Sequence, residues 1–271
     1  MSHPIALTIA GSDSGGGAGI QADLKSFSAL GVYGASVITA ITAQNTRTVA
    51  AVEAVSPAMV GAQIDAVMGD LDVRAIKIGM VGGPEVIAVV ADRLAALLAD
   101  EPLPVVLDPV MIAKAGNALL PDDAVAVLRE RLLPLATVLT PNLPEAARLL
   151  GLAPARTADE MRQQGEALRA LGPRHVLMKG GHGTGETCTD LLVGPEPLEL
   201  TAARRATRNT HGTGCSLSAA IAAGLAEGQS VAQAVQAAHL WLQGAIAAAD
   251  DLSVGLGFGP VHHFHALWGR K

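Results

Sequence analysis

Short apolar runs alternate with amphipathic stretches along the whole chain, and this alternation restricts the fold more than any other feature of the sequence. Residues 5–10 are almost continuously apolar and stop at Gly11, which is typical of a strand buried on both faces. Stretches of about 10 to 15 residues with helical patterning separate such runs. The pattern predicts right-handed βαβ units and a mostly parallel sheet covered by helices on both sides.

The same patterning places the individual elements. Strands are predicted at residues 5–10, 36–41, 75–78, 105–107, 137–139, 175–178 and 190–193. Helices are predicted at about 19–30, from 57 onward, at 84–98, at 121–131 and along the apolar stripe of 231–246. No repeat, linker or shift in composition divides the 271 residues, so we expect a single domain. In such a fold, ligands collect at the carboxyl ends of the strands.

Composition and charge argue against several partners. The formal net charge is −6 and aromatic residues make up only 2% of the chain, so no nucleic-acid partner is expected. No apolar run approaches the roughly 20 residues that cross a bilayer, and no basic segment precedes the first apolar run. The two cysteines, Cys188 and Cys215, make neither a disulfide framework nor a zinc site. We therefore expect a cytoplasmic protein that does not bind membranes.

Two polar segments follow the first strands. Residues 11–23 are rich in glycine, which lets backbone N–H groups approach a ligand, and we interpret them as a substrate contact. A plain turn is one alternative. A dinucleotide fingerprint over residues 17–22 is another, although the acidic residue expected about 20 positions later is missing, and no Walker A lysine follows. The amides of Gln44 and Asn45 can read a heterocycle with paired donors and acceptors, or they can be ordinary loop residues.

Carboxylates and a lysine follow the later strands. Asp108 ends one strand, and Asn142 and Glu145 lie three residues apart at the start of a helix after the next one. This set suits a Mg²⁺ ion that keeps much of its water, although Asn142 can instead cap the helix and Glu145 interact with the helix dipole. Lys179 opens a Gly-Gly-His-Gly run that we interpret as a phosphate contact, with a surface hairpin as the alternative.

The segment from Asn209 to Ser218 gives the strongest signal. Thr210, Gly212, Thr213 and Gly214 lead into a long apolar helix, whose N-terminus supplies a positive field for a phosphoryl group. Phosphoryl transfer depends mainly on positioning and on such charge stabilisation. Cys215 lies on the first turn of this helix, and an unrelated tight turn is the alternative. His211 is a candidate for further charge stabilisation.

Taken together, these motifs resemble the bacterial hydroxymethylpyrimidine/phosphomethylpyrimidine kinases of the ribokinase-like superfamily. The resemblance spans nearly the whole chain and rests on ordered motifs: the glycine-rich segment ending at Asp23, Gln44-Asn45, Asp108-Pro-Val-Met111, Thr140-Pro-Asn142, Lys179-Gly-Gly-His182 and His211-Gly-Thr-Gly-Cys215. It implies a three-layer α/β/α sandwich and a homodimer. It also implies that ATP and Mg²⁺ serve to phosphorylate 4-amino-5-hydroxymethyl-2-methylpyrimidine, a small molecule, and then its monophosphate, for thiamine biosynthesis.

The resemblance also assigns roles to residues. It implies that the pyrimidine is contacted by Gly11, Asp23, Gln44 and Met80. It implies that the anion hole is formed by Gly212, Thr213 and Gly214, with Cys215 at the catalytic position. It further implies that nucleotide or phosphate is contacted by Lys179, Asn142 and Thr210, and that Mg²⁺ is served, mostly through water, by Asp108 and Glu145.

Cys215 departs from the ribokinase-like sugar kinases, which usually carry Asp at this position. An Asp is a ready base for an alcohol, but it repels an acceptor that is already a phosphate, by about 4 kcal/mol at 4 Å in an effective dielectric near 20. A thiol can be neutral in one step and a thiolate in the other, because a helix N-terminus lowers its pKa and phosphates raise it. We hypothesise that Cys215 lets one pocket accept both an alcohol and a phosphate monoester.

Other functions remain open from the sequence alone. A pyridoxal kinase of the same superfamily has a similar hydroxymethyl heterocycle as acceptor, and a regulator could use this scaffold without catalysis. Dehydrogenase chemistry is a third option. His262, His263 and His265 could conceivably hold a metal, although a structural loop is the better interpretation, since no Cys or carboxylate joins them.

Overall fold

The computed structural model describes residues 3–111, 120–183 and 185–268, and it builds them around one large sheet. The strands are β1 (Ile5–Ala10), β2 (Tyr33–Ile38), β3 (Ala40–Gln44), β4 (Val49–Ala54), β5 (Val73–Ile78), β6 (Val105–Leu107), β7 (Val138–Leu139), β8 (His175–Met178), β9 (Thr187–Val193) and β10 (Leu198–Ala203). The helices are α1 (Gly19–Ala29), α2 (Pro57–Met68), α3 (Pro84–Asp100), α4 (Asp122–Arg131), α5 (Leu143–Leu150), α6 (Ala158–Arg169), α7 (Thr213–Ala226) and α8 (Val231–Ala247).

The large sheet has eight strands in the order β10-β9-β8-β7-β6-β5-β1-β2. The pairs from β2 to β8 are parallel, and β9 runs antiparallel to both of its neighbours. The carboxyl ends of β1, β5, β6, β7 and β8 therefore lie along one edge. This edge gathers residues that are far apart in the sequence, and the polar segments predicted to bind ligands begin there.

Helices cover both faces of this sheet because its central strands are apolar on both sides. In β6, Val105 and Leu107 pack into the core beneath α2 to α6, and Val106 between them faces the core beneath α1, α7 and α8. Helix α7 is apolar all round and buried over most of its length, as expected of a helix that lies between the sheet and α8. The predicted α/β/α layers and the mostly parallel sheet are confirmed.

The predicted strand at residues 36–41 is wrong. The chain leaves the large sheet at Thr39, so that β2 ends at Ile38 and β3 pairs with β4 in a separate antiparallel hairpin. Thr39 fixes the break, because its hydroxyl donates to the Met80 carbonyl at 2.7 Å and its own carbonyl accepts from the Val55 N–H, just beyond β4. The hairpin stands over the carboxyl edge of the sheet, where it can contact a ligand.

No helix within the described ranges combines the length and the apolar character that crossing a membrane requires.

Candidate active site

A cavity of about 780 Å³ opens at the carboxyl edge of the sheet. Most residues that the sequence singled out line this cavity: Gly11, Gln44, Met80, Asp108, Asn142, Glu145, Lys179, Thr210, Gly212, Thr213, Gly214 and Cys215. They come from loops that are up to about 200 residues apart, and the topology of the sheet brings them together. Asp23 and Asn45 are exceptions, and the Asn45 side-chain oxygen instead accepts from the N–H groups of Arg47 and Thr48 within its own turn.

Asp23 lies beneath the cavity floor and is completely buried. Its carboxylate accepts two hydrogen bonds from the Lys77 ammonium, at 2.9 and 2.8 Å, and one from the Thr8 hydroxyl at 2.6 Å. The prediction that Asp23 contacts the pyrimidine directly is therefore corrected, because its oxygens are occupied by Lys77 and Thr8. Asp23 instead holds Lys77, and it is Lys77 that lines the cavity.

Lys77 is a functional candidate that the sequence analysis missed. It was assigned to a core strand, although a lysine within an otherwise apolar run is the signal that could have revealed it. Burial alone would lower the pKa of the Lys77 ammonium, but the Asp23 carboxylate outweighs this effect and raises the pKa. Lys77 therefore provides a fixed positive charge under the cavity.

The N-terminus of α7 forms the part of the site that best suits an anion. Helix α7 begins at Thr213, so the amides of Gly214 and Cys215 lie in its first turn, where a helix has no carbonyls of its own to accept them. Gly212, at the N-cap, has φ +78°, and a Cβ atom there would lie 1.8 Å from the Gly17 carbonyl oxygen. Glycine is thus required at 212 for both its conformation and its close contact.

Cys215 is half-buried on this first turn. Burial raises the pKa of its thiol to about 11. Lys77 and a hydrogen bond from the Gly19 N–H lower the pKa, but Asp23 and Asp108 raise it further. In the ligand-free protein the side chain is therefore a neutral thiol at pH 7.

Asp108 and Lys179 form a buried ion pair next to the start of α7. The Lys179 ammonium donates to the Asp108 carboxylate at 2.9 Å, and the Thr140 hydroxyl donates to the same oxygen at 3.2 Å. Burial alone would lower the pKa of Lys179, but Asp108 and Glu145 outweigh it and raise the pKa. A Cβ atom at Gly214 would lie 3.2 Å from the Lys179 nitrogen. Lys179 thus places a positive charge beside the first turn of α7.

Asn142 and Glu145 are joined in a capping box at the start of α5. The Glu145 N–H donates to the Asn142 side chain at 2.9 Å, and the Asn142 N–H donates to the Glu145 carboxylate at 2.8 Å. The capping alternative is therefore correct for the local structure, although both residues also line the cavity. Burial raises the pKa of the Glu145 carboxyl to about 7; Asp108 also raises it, while Lys179 lowers it.

These residues fit a hydrated divalent cation. Within the ranges that the structure describes, no cluster of three or more His, Cys, Asp and Glu side chains is placed to hold a metal by itself. Mg²⁺ normally binds through one or two carboxylates and completes its shell with water and substrate phosphates. Asp108 and Glu145 supply two carboxylates that line the same cavity.

The other end of the cavity is formed by the glycine-rich loop and the β3–β4 hairpin. The Gly11 N–H donates to the Met80 carbonyl at 3.0 Å, and a Cβ atom at 11 would clash with the Met80 side chain. A larger residue at 11 would therefore displace the terminal methyl of Met80, which lies against Gly11. Thr42 and Gln44 complete this wall.

The wall beyond Lys179 contains residues that the sequence did not single out as ligand contacts. Arg204 donates to the carbonyls of Gly181, Gly183 and Gly185 at 2.8 to 2.9 Å. The Gly180 N–H donates to Asp190 at 2.8 Å, and residues 180–182 form a short 3₁₀ turn inside the connection of the antiparallel β8–β9 hairpin, so the hairpin alternative describes the local structure. Cys188, to which the sequence assigned no role, also lines this wall. Cys188, Asp190 and Arg204 fall outside the motifs, so the sequence gave no signal for them.

The histidines near the C-terminus have a structural environment. The His263 ring nitrogen Nε2 lies 2.9 Å from the Ser216 hydroxyl, behind the first turns of α7. Burial lowers the pKa of His263 to about 3, so the ring is neutral. The rings of His263 and His265 lie 6.3 and 6.1 Å from that of Trp241. The interpretation as a structural loop fits these contacts better than a metal site.

Comparison with known proteins identifies the family. A family model described as phosphomethylpyrimidine kinase matches residues 13–262. The chain belongs to this family. A hydroxymethylpyrimidine/phosphomethylpyrimidine kinase of Rhizobium meliloti is 61% identical over 265 residues, which cover 97% of this chain and 98% of the relative. The enzyme of the same name from Escherichia coli is 54% identical over 264 residues, with the same coverage of both chains.

A solved structure of pyridoxal kinase supports the fold. The ADP complex of the Bacillus subtilis enzyme is 36% identical, has a TM-score of 0.88, and matches 99% of this chain and 100% of that one. The predicted ribokinase-like fold and membership of the phosphomethylpyrimidine kinase family are thus confirmed, and this chain is a kinase.

Proposed function

We propose that this kinase transfers a phosphoryl group from ATP to the hydroxymethyl oxygen of 4-amino-5-hydroxymethyl-2-methylpyrimidine, and a second one to the resulting monophosphate. The product is the pyrophosphate used for thiamine. One observation carries the proposal: a single cavity contains the amides at the start of α7, the neutral thiol of Cys215, the ammonium of Lys179 and the amide of Gln44. The names of the relatives at 61% and 54% identity support this acceptor.

The acceptor lies at the hairpin end of the cavity in this proposal. Gly11 and Met80 form a flat wall beside the ring, and the Gln44 amide recognises its edge. Asp23 acts from below by holding Lys77. The hydroxymethyl group then points toward the first turn of α7.

The phosphoryl group in transit lies at the first turn of α7. The amides of Gly214 and Cys215, the positive end of the helix and Lys179 stabilise the charge that spreads over its oxygens. Thr210 and Thr213 line the same corner. Because this reaction needs little covalent chemistry from the protein, such positioning supplies most of the catalysis.

Cys215 serves the two steps differently. In the first step the base is the thiolate form of Cys215, which is a small fraction near pH 7 because the thiol pKa is about 11. This thiolate takes the proton of the alcohol as the alcohol oxygen attacks the phosphoryl group, and the product of the proton transfer is the neutral thiol. In the second step the acceptor phosphate has a pKa near 6 and needs no base. The neutral thiol does not repel this phosphate anion, whereas a carboxylate at the same position would repel it.

Mg²⁺ supplies charge neutralisation and alignment of the nucleotide phosphates when it is bound. Asp108 and Glu145 would hold it, mostly through water, and Asn142 would orient Glu145. The β3–β4 hairpin borders one end of the cavity, and Arg204 holds the loop at the other end. The protein works as a single domain in each subunit of a cytoplasmic homodimer, which equilibrium sedimentation can test.

Phosphorus NMR of the products tests the proposal. With hydroxymethylpyrimidine and MgATP, the purified chain should yield the monophosphate and then the pyrophosphate, with two ATP consumed per pyrimidine. A parallel assay of ADP release with pyridoxal examines the rival acceptor, for which the fold of the Bacillus subtilis pyridoxal kinase is the supporting observation. Turnover of pyridoxal without turnover of the pyrimidine would overturn the proposal, and the absence of ADP release with either acceptor would do the same.

A further inference from the structure

Asp13 joins the glycine-rich loop to the loop that precedes α7. One carboxylate oxygen, Oδ1, accepts from the Gly15 N–H at 2.8 Å. The other, Oδ2, accepts from the N–H groups of Gly17 and Ala18 at 3.1 and 2.8 Å and lies 2.8 Å from Nε2 of His211. All of these backbone groups are donors, so Asp13 acts as an ionised acceptor. Burial alone would raise the pKa of its carboxyl, but His211 and the backbone bonds outweigh burial and lower the pKa.

The charge on Asp13 determines which atom of His211 carries a hydrogen. A carboxylate oxygen can only accept, and a lone pair on Nε2 facing it would be repelled. Nε2 of His211 therefore carries a hydrogen and donates it to Asp13, whether the ring is neutral or protonated. His211 is 8% exposed, so solvent offers little competition for this bond.

Gln44 meets the same nitrogen from the cavity side. The atom placed as the amide nitrogen of Gln44, Nε2, lies 3.4 Å from Nε2 of His211. The backbone of Gln44 is anchored by Ser14, whose hydroxyl accepts from the Gln44 N–H at 2.8 Å and donates to the Gln44 carbonyl at 2.8 Å. The end of the amide that faces His211 is thus held at a fixed place.

Hydrogen-bond polarity decides which end that is. An NH₂ group and an N–H group cannot satisfy each other, and the two ends of a glutamine amide have nearly the same shape. The contact is favourable when the Gln44 oxygen faces His211 and shares the Nε2 hydrogen with Asp13 as a bifurcated bond. The NH₂ group then turns toward the cavity that Gln44 lines.

We propose that Asp13 and His211 are positioning residues that fix the Gln44 amide with its NH₂ group toward the acceptor, so that the site selects a heterocycle with a ring nitrogen at that edge. This inference rests on the proposed function, because it specifies how that acceptor is recognised. It also links recognition to transfer, since His211 directly precedes Gly212 at the cap of α7.

A comparison of two acceptors with matched variants tests the proposal. The acceptors are 4-amino-5-hydroxymethyl-2-methylpyrimidine and its pyridine analogue, in which the ring nitrogen beside the amino-bearing carbon is replaced by CH. For the wild-type protein we expect kcat/KM for first-step phosphorylation to be about 10- to 100-fold higher with the pyrimidine, because the analogue leaves the Gln44 NH₂ group unpaired. Gln44→Ala should bring the ratio close to one.

The variants at position 211 separate positioning from mere packing. His211→Phe keeps the ring but removes the N–H, so the amide can rotate and the ratio should fall several-fold toward one. His211→Gln can place an NH₂ group where Nε2 lies, so it should keep most of the ratio. Melting temperatures identify a variant that fails to fold. If His211→Phe fails to fold, the proposal is judged from the kcat/KM ratios of the wild-type protein, Gln44→Ala and His211→Gln.

Each outcome has a distinct meaning. If the wild-type protein phosphorylates the pyrimidine but His211→Phe keeps the full ratio, or loses activity equally with both acceptors, the positioning role is refuted while the proposed function stands. A wild-type ratio near one refutes it as well. If the wild-type protein does not phosphorylate the pyrimidine at all, the proposed function fails first.

Discussion

The pKa of the Cys215 thiol depends on residues that are distant in the sequence. From the sequence, the thiol of Cys215 was expected to be neutral in one step and ionised in the other, because a helix N-terminus lowers its pKa and phosphates raise it. In the structure, burial and the carboxylates of Asp23 and Asp108 outweigh Lys77 and raise the pKa of the thiol to about 11. This balance depends on residues from three distant segments, so no local motif could have revealed it. The hypothesis that one side chain serves two acceptors now depends on a thiol that is neutral at pH 7 in the ligand-free protein.

Substitution at 215 tests this hypothesis. Cys215→Asp should keep phosphorylation of the alcohol within about tenfold but depress phosphorylation of the monophosphate by roughly 100-fold or more, since a carboxylate about 4 Å from the acceptor costs several kcal/mol. Cys215→Ser, which stays neutral, is the matched control and should affect the two steps more equally. Separate kcat/KM values for the two acceptors give the result, and equal retention of both activities by Cys215→Asp would refute the hypothesis.

Alkylation rates measure the state of the thiol directly. In a Cys188→Ser background, Cys215 is the remaining cysteine. Its reaction with iodoacetamide should be slow at pH 8, where only about one thiol in a thousand is ionised if the pKa is about 11, and should rise about tenfold per pH unit toward pH 10. The Cys215→Ser protein, which retains the half-exposed Cys188, provides the comparison. A rate that levels off below pH 9 would contradict the raised pKa.

At the scale of elements, most of the architecture could be predicted because strands buried on both faces are continuous apolar runs. Residues 105–107 and 175–178 were placed at their observed bounds. The β3–β4 hairpin was missed because it packs few side chains against the core: almost all of β4 is exposed, and no alternating pattern marks it. The break between β2 and β3 comes from hydrogen bonds of Thr39 with Met80 and Val55, which a local pattern cannot show.

The turn into α7 provides a prediction about an element. Gly212→Ala should lower kcat by more than about 100-fold and reduce the melting temperature, because alanine is strained at φ +78° and its Cβ would overlap the Gly17 carbonyl. Gly228, just beyond the other end of α7, has a similar φ of +85° and open space around it. Gly228→Ala should therefore cost only about 1 kcal/mol in stability and leave turnover intact. Comparable turnover in the two variants would show that the turn does not shape the site.

For the molecule as a whole, the position of the site could be predicted and its supporting charges could not. Parallel strands must place their carboxyl ends on one edge, so Asp108, Asn142 and Lys179 were expected to meet there. The bonds of Lys77 to Asp23 and of Asp13 to His211 join residues 54 and 198 positions apart. Such pairs depend on the packing of α1 and α7 against the sheet, and the composition of either segment alone does not reveal them.

The buried Glu145 makes global stability depend on pH. Its carboxyl has a pKa of about 7 in the folded protein and about 4.5 as an ordinary glutamate. Between pH 4.5 and pH 7, the carboxyl is therefore protonated in the folded state and ionised in the unfolded state. The contribution of the protonated Glu145 carboxyl to the stability of the folded state is fully present below about pH 4.5 and is lost as the pH rises through 7. Glu145→Gln keeps an acceptor for the Asn142 N–H, as glutamine does in other capping boxes. Relative to the wild-type protein, it should gain on the order of 2 kcal/mol between pH 5 and pH 8.

Urea unfolding at the two pH values measures this gain. Glu160 is a matched control, because it closes the capping box of α6 with Thr157 in the same geometry but is exposed to solvent. Glu160→Gln should therefore show nearly the same difference from the wild-type protein at both pH values. Saturating MgATP should reduce the gain of Glu145→Gln, because a cation near Asp108 and Glu145 stabilises the ionised carboxylate. If Glu145→Gln and Glu160→Gln respond alike to pH, the corner formed by Asp108, Glu145 and Lys179 does not hold the proton that the structure assigns to it.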